Sequence, residues 1–152
     1  MKVSRDAPLA EITLRKYERP GTMGERELVK KLCLTIGLLQ PGDSRDVIVD
    51  VLHVLLKGKQ QKKLLTCPEL EKKVIANRRG HRLQMLGIAS SNIRRQLKRL
   101  KDLLIVEKVR NKYRITEFLS IGEVYDSKLE KFVLQSIITR AKEYMQQVDE
   151  KF

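Results

Sequence analysis

The chain has 152 residues, enough for one domain with a buried core. It contains 32 lysine and arginine residues against 19 aspartate and glutamate residues, a formal net charge of +13. The excess is concentrated: residues 57–114 contain 18 basic and 4 acidic side chains, whereas residues 1–56 contain 9 and 8, and residues 115–152 contain 5 and 7. A surface adapted to high temperature would balance the two signs, so this concentration predicts a nucleic-acid partner.

The same composition argues against several other classes of protein. No apolar stretch approaches the length of a membrane span, and the amino terminus has no apolar signal segment, so we expect a cytoplasmic protein. The basic region lacks an exposed Trp/Phe face, which disfavours a membrane partner. Cys33 and Cys67 lie far apart without a CxxC spacing, and Cys33 is expected to pack in the core. We therefore expect no disulfide framework, no metal and no cofactor.

Residues 1–44 are predicted to form an amino-terminal arm and a helix. Residues 10–17 alternate apolar and polar side chains, with Ile12 and Leu14 on one side, which predicts a strand paired with another segment or a second subunit; a frayed arm is the alternative. Residues 25–39 are predicted as a helix. Its expected inner stripe consists of Leu28, Leu32, Thr35 or Ile36, and Leu39.

The next helix, predicted over residues 45–56, is apolar almost all round and should be the buried central helix. Asp43 or Ser44 is positioned to cap it. His53 lies inside this run and is expected to be a packed, hydrogen-bonded core residue rather than a ligand. Residues 57–63 are predicted as a solvated basic loop.

A short strand is predicted at residues 64–66, followed by a helix that begins with a Thr-x-x-Glu capping box at residues 66–69. This helix should bury Leu70 and Val74, with Ile75 as a further candidate. Residues 77–81 are predicted as a lengthened helix end or an inserted loop that adds three arginines to the basic face. These arginines are Arg78, Arg79 and Arg82.

Residues 86–116 carry the clearest pattern in the chain. A glycine turn precedes a Ser-Ser-Asn run that favours a helix cap, and the helix that follows has one apolar face and one basic face. The apolar face consists of Ile93, Leu97, Leu100 and Leu104. Two β-branched stretches, at residues 105–109 and 113–116, flank a short polar turn and predict a hairpin.

This segment resembles the winged helix transcription regulators of bacterial and archaeal type. The resemblance lies in Leu-Gly-Ile-Ala-Ser-Ser-Asn-Ile at residues 86–93, followed by Leu-Lys-Arg-Leu-Lys-Asp-Leu-Leu-Ile-Val-Glu-Lys-Val at residues 97–109. It implies a mainly α fold with a small β-hairpin wing: a winged helix-turn-helix domain over residues 45–116, with extra helices at both ends. It also implies that the helix at residues 91–103 enters the major groove of duplex DNA.

The expected DNA contacts divide into base-reading and phosphate-binding side chains. Base edges are expected to be read by arginine and amide side chains on the outward face of the helix. These are Asn92, Arg95, Gln96 and Arg99. Phosphates are expected to be bound by Ser90, Ser91, Arg94 and Lys98 on the helix and by Arg110 and Lys112 on the wing.

Residues 117–152 are predicted to form a carboxy-terminal helical dimerisation segment. A Ser-x-x-Glu box at residues 127–130 should open a long helix that ends near Val148. The helix has an apolar stripe that the winged helix domain of residues 45–116 does not need for its own core, which predicts a homodimer. The alternative is that the stripe packs back onto the amino-terminal helix. The stripe consists of Leu129, Phe132, Val133, Ile137, Ala141, Tyr144, Met145 and Val148.

No motif of nucleotide-binding, metalloprotease or hydrolase type is present, so we expect no enzyme. A nuclease-like Glu71-x-Lys73 with Asp43 or Asp46 upstream is disfavoured because those aspartates fit helix caps. The predicted function is sequence-specific binding of double-stranded DNA by a homodimeric transcription regulator, cytoplasmic and nucleoid-associated. The alternative is a winged helix module that binds RNA or a protein partner in a larger assembly, although Tyr113 alone offers little base stacking.

Overall fold

A computed structural model describes residues 5–152 of the chain. Its elements follow in the order α1 (Glu25–Thr35), α2 (Val47–Gln60), β1 (Leu65–Thr66), α3 (Cys67–Gly80), α4 (Ser90–Asp102), β2 (Val106–Val109), β3 (Lys112–Ile115), α5 (Ile121–Val124) and α6 (Gln135–Lys151). A 3₁₀ turn, Thr116–Phe118, follows β3, and a π-helical segment, Tyr125–Leu134, joins α5 directly to α6. The chain is mainly helical with one small antiparallel sheet, which confirms the predicted fold class at this level.

The sheet has three strands, with β3 between β1 and β2. Leu65 pairs with Tyr113 on one side of β3, and Val106 pairs with Ile115 on the other. The predicted hairpin and the predicted short strand are therefore both present. The hairpin turn has two central residues, Arg110 and Asn111, both with positive φ, as the twist of a two-residue hairpin requires.

Helix α2 is the buried central helix that its apolar sequence predicts. Residues 47–55 are all buried, and α2 contacts α1, α3, α4 and β3. The helix continues four residues beyond the predicted end, so the expected loop at residues 57–63 is wrong in its first half. Gly58 lies where the following chain passes close to the helix: a Cβ there would lie 3.3 Å from both Leu65 Cδ1 and the Lys63 carbonyl oxygen, so glycine eases this close approach.

Helix α1 ends at Thr35 and is rotated relative to the prediction. Its buried residues are Arg26, Val29 and Cys33, whereas Leu28, expected on the inner stripe, is 49% exposed. The rotation has a physical cause: Arg26 binds a carboxylate in the core, and this contact turns its face of the helix inward. Cys33 is packed as expected, and burial raises the pKa of its thiol to about 12.

Residues 10–17 form no strand with another segment among residues 5–152, and Arg15 attaches this part of the arm to α1. The Arg15 backbone N–H donates to the Thr35 carbonyl (2.9 Å), and its guanidinium donates to the carbonyls of Leu34 (2.7 Å) and Leu39 (3.1 Å). The last carbonyls of a helix lack partners within the helix and attract positive charge. Arg15 therefore attaches the arm to the carboxyl end of α1.

Two capping boxes are predicted, at residues 66–69 and 127–130, and one of them forms. The Thr66 hydroxyl accepts a hydrogen bond from the Glu69 backbone, and Glu69 accepts one from Thr66, so α3 begins as predicted. The carboxy-terminal box is wrong by seven residues, because Ser120 and Glu123 form it and the helix begins there. Helix α2 begins after Asp46 rather than after Asp43 or Ser44, and no side chain caps it.

The carboxy-terminal helices are attached to the core through α5, where Val124 is buried. Leu129 is also buried, but α6 buries none of its residues. The predicted alternative, in which the stripe packs back onto the amino-terminal helix, is therefore wrong for α6. No helix within residues 5–152 is long and apolar enough to cross a membrane.

Candidate functional site

The site is built on α4, whose two faces differ sharply. Ile93, Leu97 and Leu100 are buried in the core, as predicted, while Leu104 lies beyond the helix end and is half-buried. Because the apolar face is fixed inward, the opposite face must be in solvent. The exposed residues of α4 are Ser90, Ser91, Arg94, Arg95, Lys98, Lys101 and Asp102.

Three of the four predicted base-reading side chains form a chain of hydrogen bonds along α4. Asn92 donates to the Gly87 carbonyl (2.7 Å), and Gln96 donates to Asn92 Oδ1 (3.1 Å). Arg99 then donates to Gln96 Oε1 (2.8 Å) and to the Leu38 carbonyl (2.6 Å). These bonds attach α4 to the glycine turn before it and to the segment after α1.

Arg95, the fourth predicted base-reading residue, differs from the other three. It is exposed, and it has no hydrogen bond or ion pair with any other side chain or backbone group among residues 5–152. Lys98, one turn away, makes only a solvent-exposed ion pair with Asp102 at 3.4 Å. Arg95 is therefore available to a ligand.

The start of α4 contacts the start of α3 through a small polar cluster. Ser90 and Cys67 both donate to the Glu71 carboxylate, the thiol at 3.6 Å. Arg94 lies beside Cys67, and its interaction with that side chain raises the Arg94 pKa. The Ser90 hydroxyl thus already has a partner, whereas Ser91 remains exposed.

The β2–β3 hairpin supplies two further cations at its tip. Arg110 and Lys112 are exposed, and neither makes an ion pair with residues 5–152. Arg114 is different because its Nε lies 2.6 Å from the Glu107 carboxylate, which neutralises it. The hairpin tip and the outer face of α4 are thus the two places where the predicted phosphate-binding residues are exposed.

A buried ion-pair network was missed by the sequence reasoning. Asp50, which is 0% exposed, accepts two hydrogen bonds from Arg26 (3.0 and 2.9 Å) and one from Arg78 (2.7 Å). Asp46 accepts from the same two arginines. Two carboxylates and two guanidiniums thus join α1, α2 and α3, and Arg78, predicted near the basic face, is instead neutralised inside the protein.

The protonation of this network favours the folded state at neutral pH. Burial alone would raise the pKa of the Asp46 carboxyl, but hydrogen bonds and positive charges from Arg78 and Arg26 outweigh it and hold the pKa below its ordinary value. A carboxyl whose pKa is lower in the folded state stabilises the fold above its unfolded pKa and loses that contribution as the pH falls through its folded pKa.

His53 extends the network toward the surface, as a packed core histidine in agreement with the prediction. Asn77 donates to Asp50 Oδ1 (2.9 Å) and to His53 Nδ1 (3.2 Å), so Nε2 carries the proton and donates to Glu25 (3.4 Å). Burial lowers the pKa of His53, and the hydrogen bond to Glu25 offsets this only in part. His53 is therefore neutral at pH 7.

The predicted dimerisation stripe is divided between the protein interior and solvent. Leu129 is buried within the chain, and Val133 and Ile137 are half-buried. Phe132 and Tyr144 are 65% and 70% exposed, and Ala141, Met145 and Val148 are exposed as well. The stripe is thus uncovered at Phe132 and again from Ala141 onward, and only partly covered at Val133 and Ile137.

Comparison of the chain with models of protein families, with curated proteins and with solved structures finds no significant match. Within residues 5–152, no group of three or more His, Cys, Asp or Glu side chains is arranged to hold a metal ion. Asp46, a candidate acid in the nuclease-like constellation, has both carboxylate oxygens bound by arginines.

Proposed function

We propose that the protein is a winged helix-turn-helix protein that binds double-stranded DNA in a sequence-specific manner and regulates transcription as a homodimer. The element order from α2 to β3 and the strand order β1-β3-β2 support this assignment. In it, α3 and α4 form the helix-turn-helix, α4 is the recognition helix, and the β2–β3 hairpin is the wing.

The observation that carries the proposal is the exposed cationic face of α4 opposite a buried apolar face. A helix with this division fits the major groove, which is about 12 Å wide, while its inner face holds it rigidly on the domain. Arg95 is placed against base edges, and Arg94, Lys98 and the hairpin cations Arg110 and Lys112 against phosphates.

In this proposal Asn92, Gln96 and Arg99 have a positioning role instead of the base-reading role expected from the sequence. Their hydrogen bonds fix the direction of α4 relative to the turn at Gly87 and the segment after α1. A recognition helix that is held rigidly loses less conformational entropy on binding. The protein is proposed as a binding protein without enzymatic activity.

Selection of bound sequences from a random duplex pool tests the proposal. We expect enrichment of a motif arranged as an inverted repeat, because a two-fold symmetric dimer presents two recognition helices to two half-sites. A pool without enrichment would contradict sequence-specific binding. Preferential capture of single-stranded RNA would instead favour the RNA-binding alternative.

Arg95→Ala and Lys112→Ala separate base reading from phosphate binding. Arg95→Ala is expected to cost about 1–3 kcal/mol on a selected site and to relax preference at one base position. Lys112→Ala should weaken selected and scrambled duplexes by similar factors. Fluorescence anisotropy on both duplexes measures the difference. Melting temperatures should match that of the unmodified protein, because neither side chain is in the core. Equal losses on both duplexes for Arg95→Ala would refute its base-reading role.

A second copy of the chain is the proposed partner of the uncovered stripe on α6. Ile137, Ala141, Tyr144 and Val148 recur at three- and four-residue intervals, which aligns them along one side of the helix. Surfaces with several large exposed apolar side chains in a row are uncommon on monomers and mark contact sites. Helix pairing would also give the two-fold symmetry that an inverted repeat requires.

Ile137→Asp is expected to convert the dimer into folded monomers, since a carboxylate in the apolar seam has no partner. Sedimentation velocity measures the mass, and circular dichroism verifies the fold. Thr139→Asp is the matched control: it places the same charge on the opposite side of α6, where it should leave the dimer intact. A monomeric unmodified protein, or unfolding of the Ile137 variant, would contradict the seam.

A further inference from the structure

A second concave site lies between α2 and α3, close to the carboxyl ends of both helices. Its volume is about 460 Å³. Residues 54, 57, 58 and 61 form one wall, and residues 73, 76, 77 and 80 form the other; both sets follow the i, i+3, i+4, i+7 spacing of one helix face. Gly80 lines the site at a point that is open to solvent, because a Cβ there would meet nothing within 4 Å. We call this site the α2–α3 cleft.

The α2–α3 cleft is strongly cationic. Lys57, Lys63 and Lys73 line it, together with His81, and none of its lining residues is acidic. Within residues 5–152, no carboxylate lies within 4.0 Å of these three ammonium groups. Like charges that converge on one concavity without a counter-charge create a positive potential that concentrates anions.

The remaining lining groups suit an organic ligand rather than a bare ion. Val54 and Leu65 supply apolar surface, and Gln61 supplies an amide. His81 donates from Nδ1 to the Asn77 carbonyl (2.7 Å), which fixes the ring beside the lysines. Sites for small molecules typically have volumes of roughly 300–1,000 Å³ and combine apolar walls with a few polar groups.

The cleft is on the side of α3 that faces away from α4. Residues 73, 76, 77 and 80 form its α3 wall, whereas Glu71 contacts Ser90 of α4 and Val74 is buried. Successive residues are about 100° apart, so the α3 wall of the cleft and the side toward α4 point in different directions. The lysines of the cleft are thus separate from the cationic face assigned to duplex binding.

We propose that the α2–α3 cleft binds a small organic phosphate of nucleotide size. The lysine ammonium groups would bind the phosphate oxygens as point charges, and the apolar wall would contact the organic part. The site would then use three of the cations in residues 57–114 for a metabolite rather than for nucleic acid. This proposal does not depend on the DNA-binding proposal.

Adenosine diphosphate without divalent metal is the probe, measured by isothermal titration calorimetry with the full chain. We expect saturable binding at one site per chain, with adenosine and inorganic phosphate each binding much more weakly. Lys73→Ala should weaken the affinity about tenfold, the loss of one charge-assisted contact. Lys72→Ala is the matched control, because Lys72 is an exposed lysine on the same turn of α3 but outside the cleft. This substitution should change the affinity for the diphosphate by less than about twofold.

Ala76→Leu keeps the charge and fills the cleft, and Ala76 is exposed, so the fold should be retained. It is expected to abolish binding of the diphosphate while leaving duplex affinity unchanged. Absence of saturable binding, or equal losses in the Lys72 and Lys73 variants, would overturn the proposal. So would a loss of duplex affinity in Lys73→Ala with unchanged diphosphate binding, because the cleft would then belong to the nucleic-acid surface.

Discussion

Asp50→Ala is expected to lower the free energy of unfolding by about 3–5 kcal/mol. The Asp50 carboxylate is completely buried and accepts hydrogen bonds from Arg26, Arg78 and Asn77. Its removal leaves two buried guanidiniums facing the single carboxylate of Asp46, and an uncompensated buried charge is costly. Small domains have a free energy of unfolding of only about 5–15 kcal/mol, so the substitution would remove a large part of it. Urea unfolding followed by circular dichroism measures the change.

Asp102→Ala is the matched control for this prediction. It also removes a carboxylate from an ion pair with a basic side chain, but both members of the Lys98–Asp102 pair are exposed. Exposed pairs of this kind contribute about 0–1 kcal/mol to stability. The control should therefore unfold at a urea concentration close to that of the unmodified protein. If the two variants unfold at the same urea concentration, the buried network stabilises the fold no more than an exposed ion pair does.

Duplex affinity is expected to fall steeply with salt, with a slope of about −4 to −7 in a plot of log affinity against log salt. About 4–8 phosphate contacts give such a slope, because each neutralised phosphate releases condensed counterions. A fourfold rise in salt would then lower the affinity by about two to four orders of magnitude. The exposed cations Arg94, Lys98, Arg110 and Lys112 would supply the core of these contacts.

Titrations of a fixed duplex at several salt concentrations give the slope directly. Lys142→Ala on α6 is the control, since this exposed lysine lies outside the proposed interface and its removal should leave the slope unchanged. A slope near zero for the unmodified protein would remove the electrostatic basis of the DNA-binding proposal.

Sequence periodicity predicted the elements whose faces are set by apolar burial. The inner face of α4, the all-round burial of α2, the capping box of α3 and the β2–β3 hairpin all depend on local patterns that tertiary structure did not override. Three predictions failed because a charged side chain is buried. Arg26 rotates α1, Asp46 displaces the expected cap of α2, and Arg78 is removed from the basic face.

One signal in the sequence could have revealed the network. Asp50 lies within an otherwise apolar helix that is buried on all sides, and a buried carboxylate requires a positive partner. The partner itself could not be found from one sequence, because Arg26 and Arg78 are 24 and 28 residues away and resemble ordinary surface arginines. The contacts of Arg15 with the carbonyls at the end of α1 could not be predicted either, because the alternation of apolar and polar residues at 10–17 carries no information about them.

The π-helical segment between α5 and α6 has a geometric consequence for the proposed dimer. Its backbone bonds span i to i+5, so a helix that crosses it continues out of register with an ordinary α-helix. Deleting one residue there would turn α6 around its axis relative to α5 by somewhat less than the ~100° per residue of an α-helix, because a π-helical turn contains more residues. In the dimer, that rotation would displace one recognition helix relative to the other, away from the 34–36 Å repeat of the double helix. The number of residues in the π-helical segment would thus fix the orientation of α6 relative to the DNA-binding domain, and with it the spacing of the two half-sites.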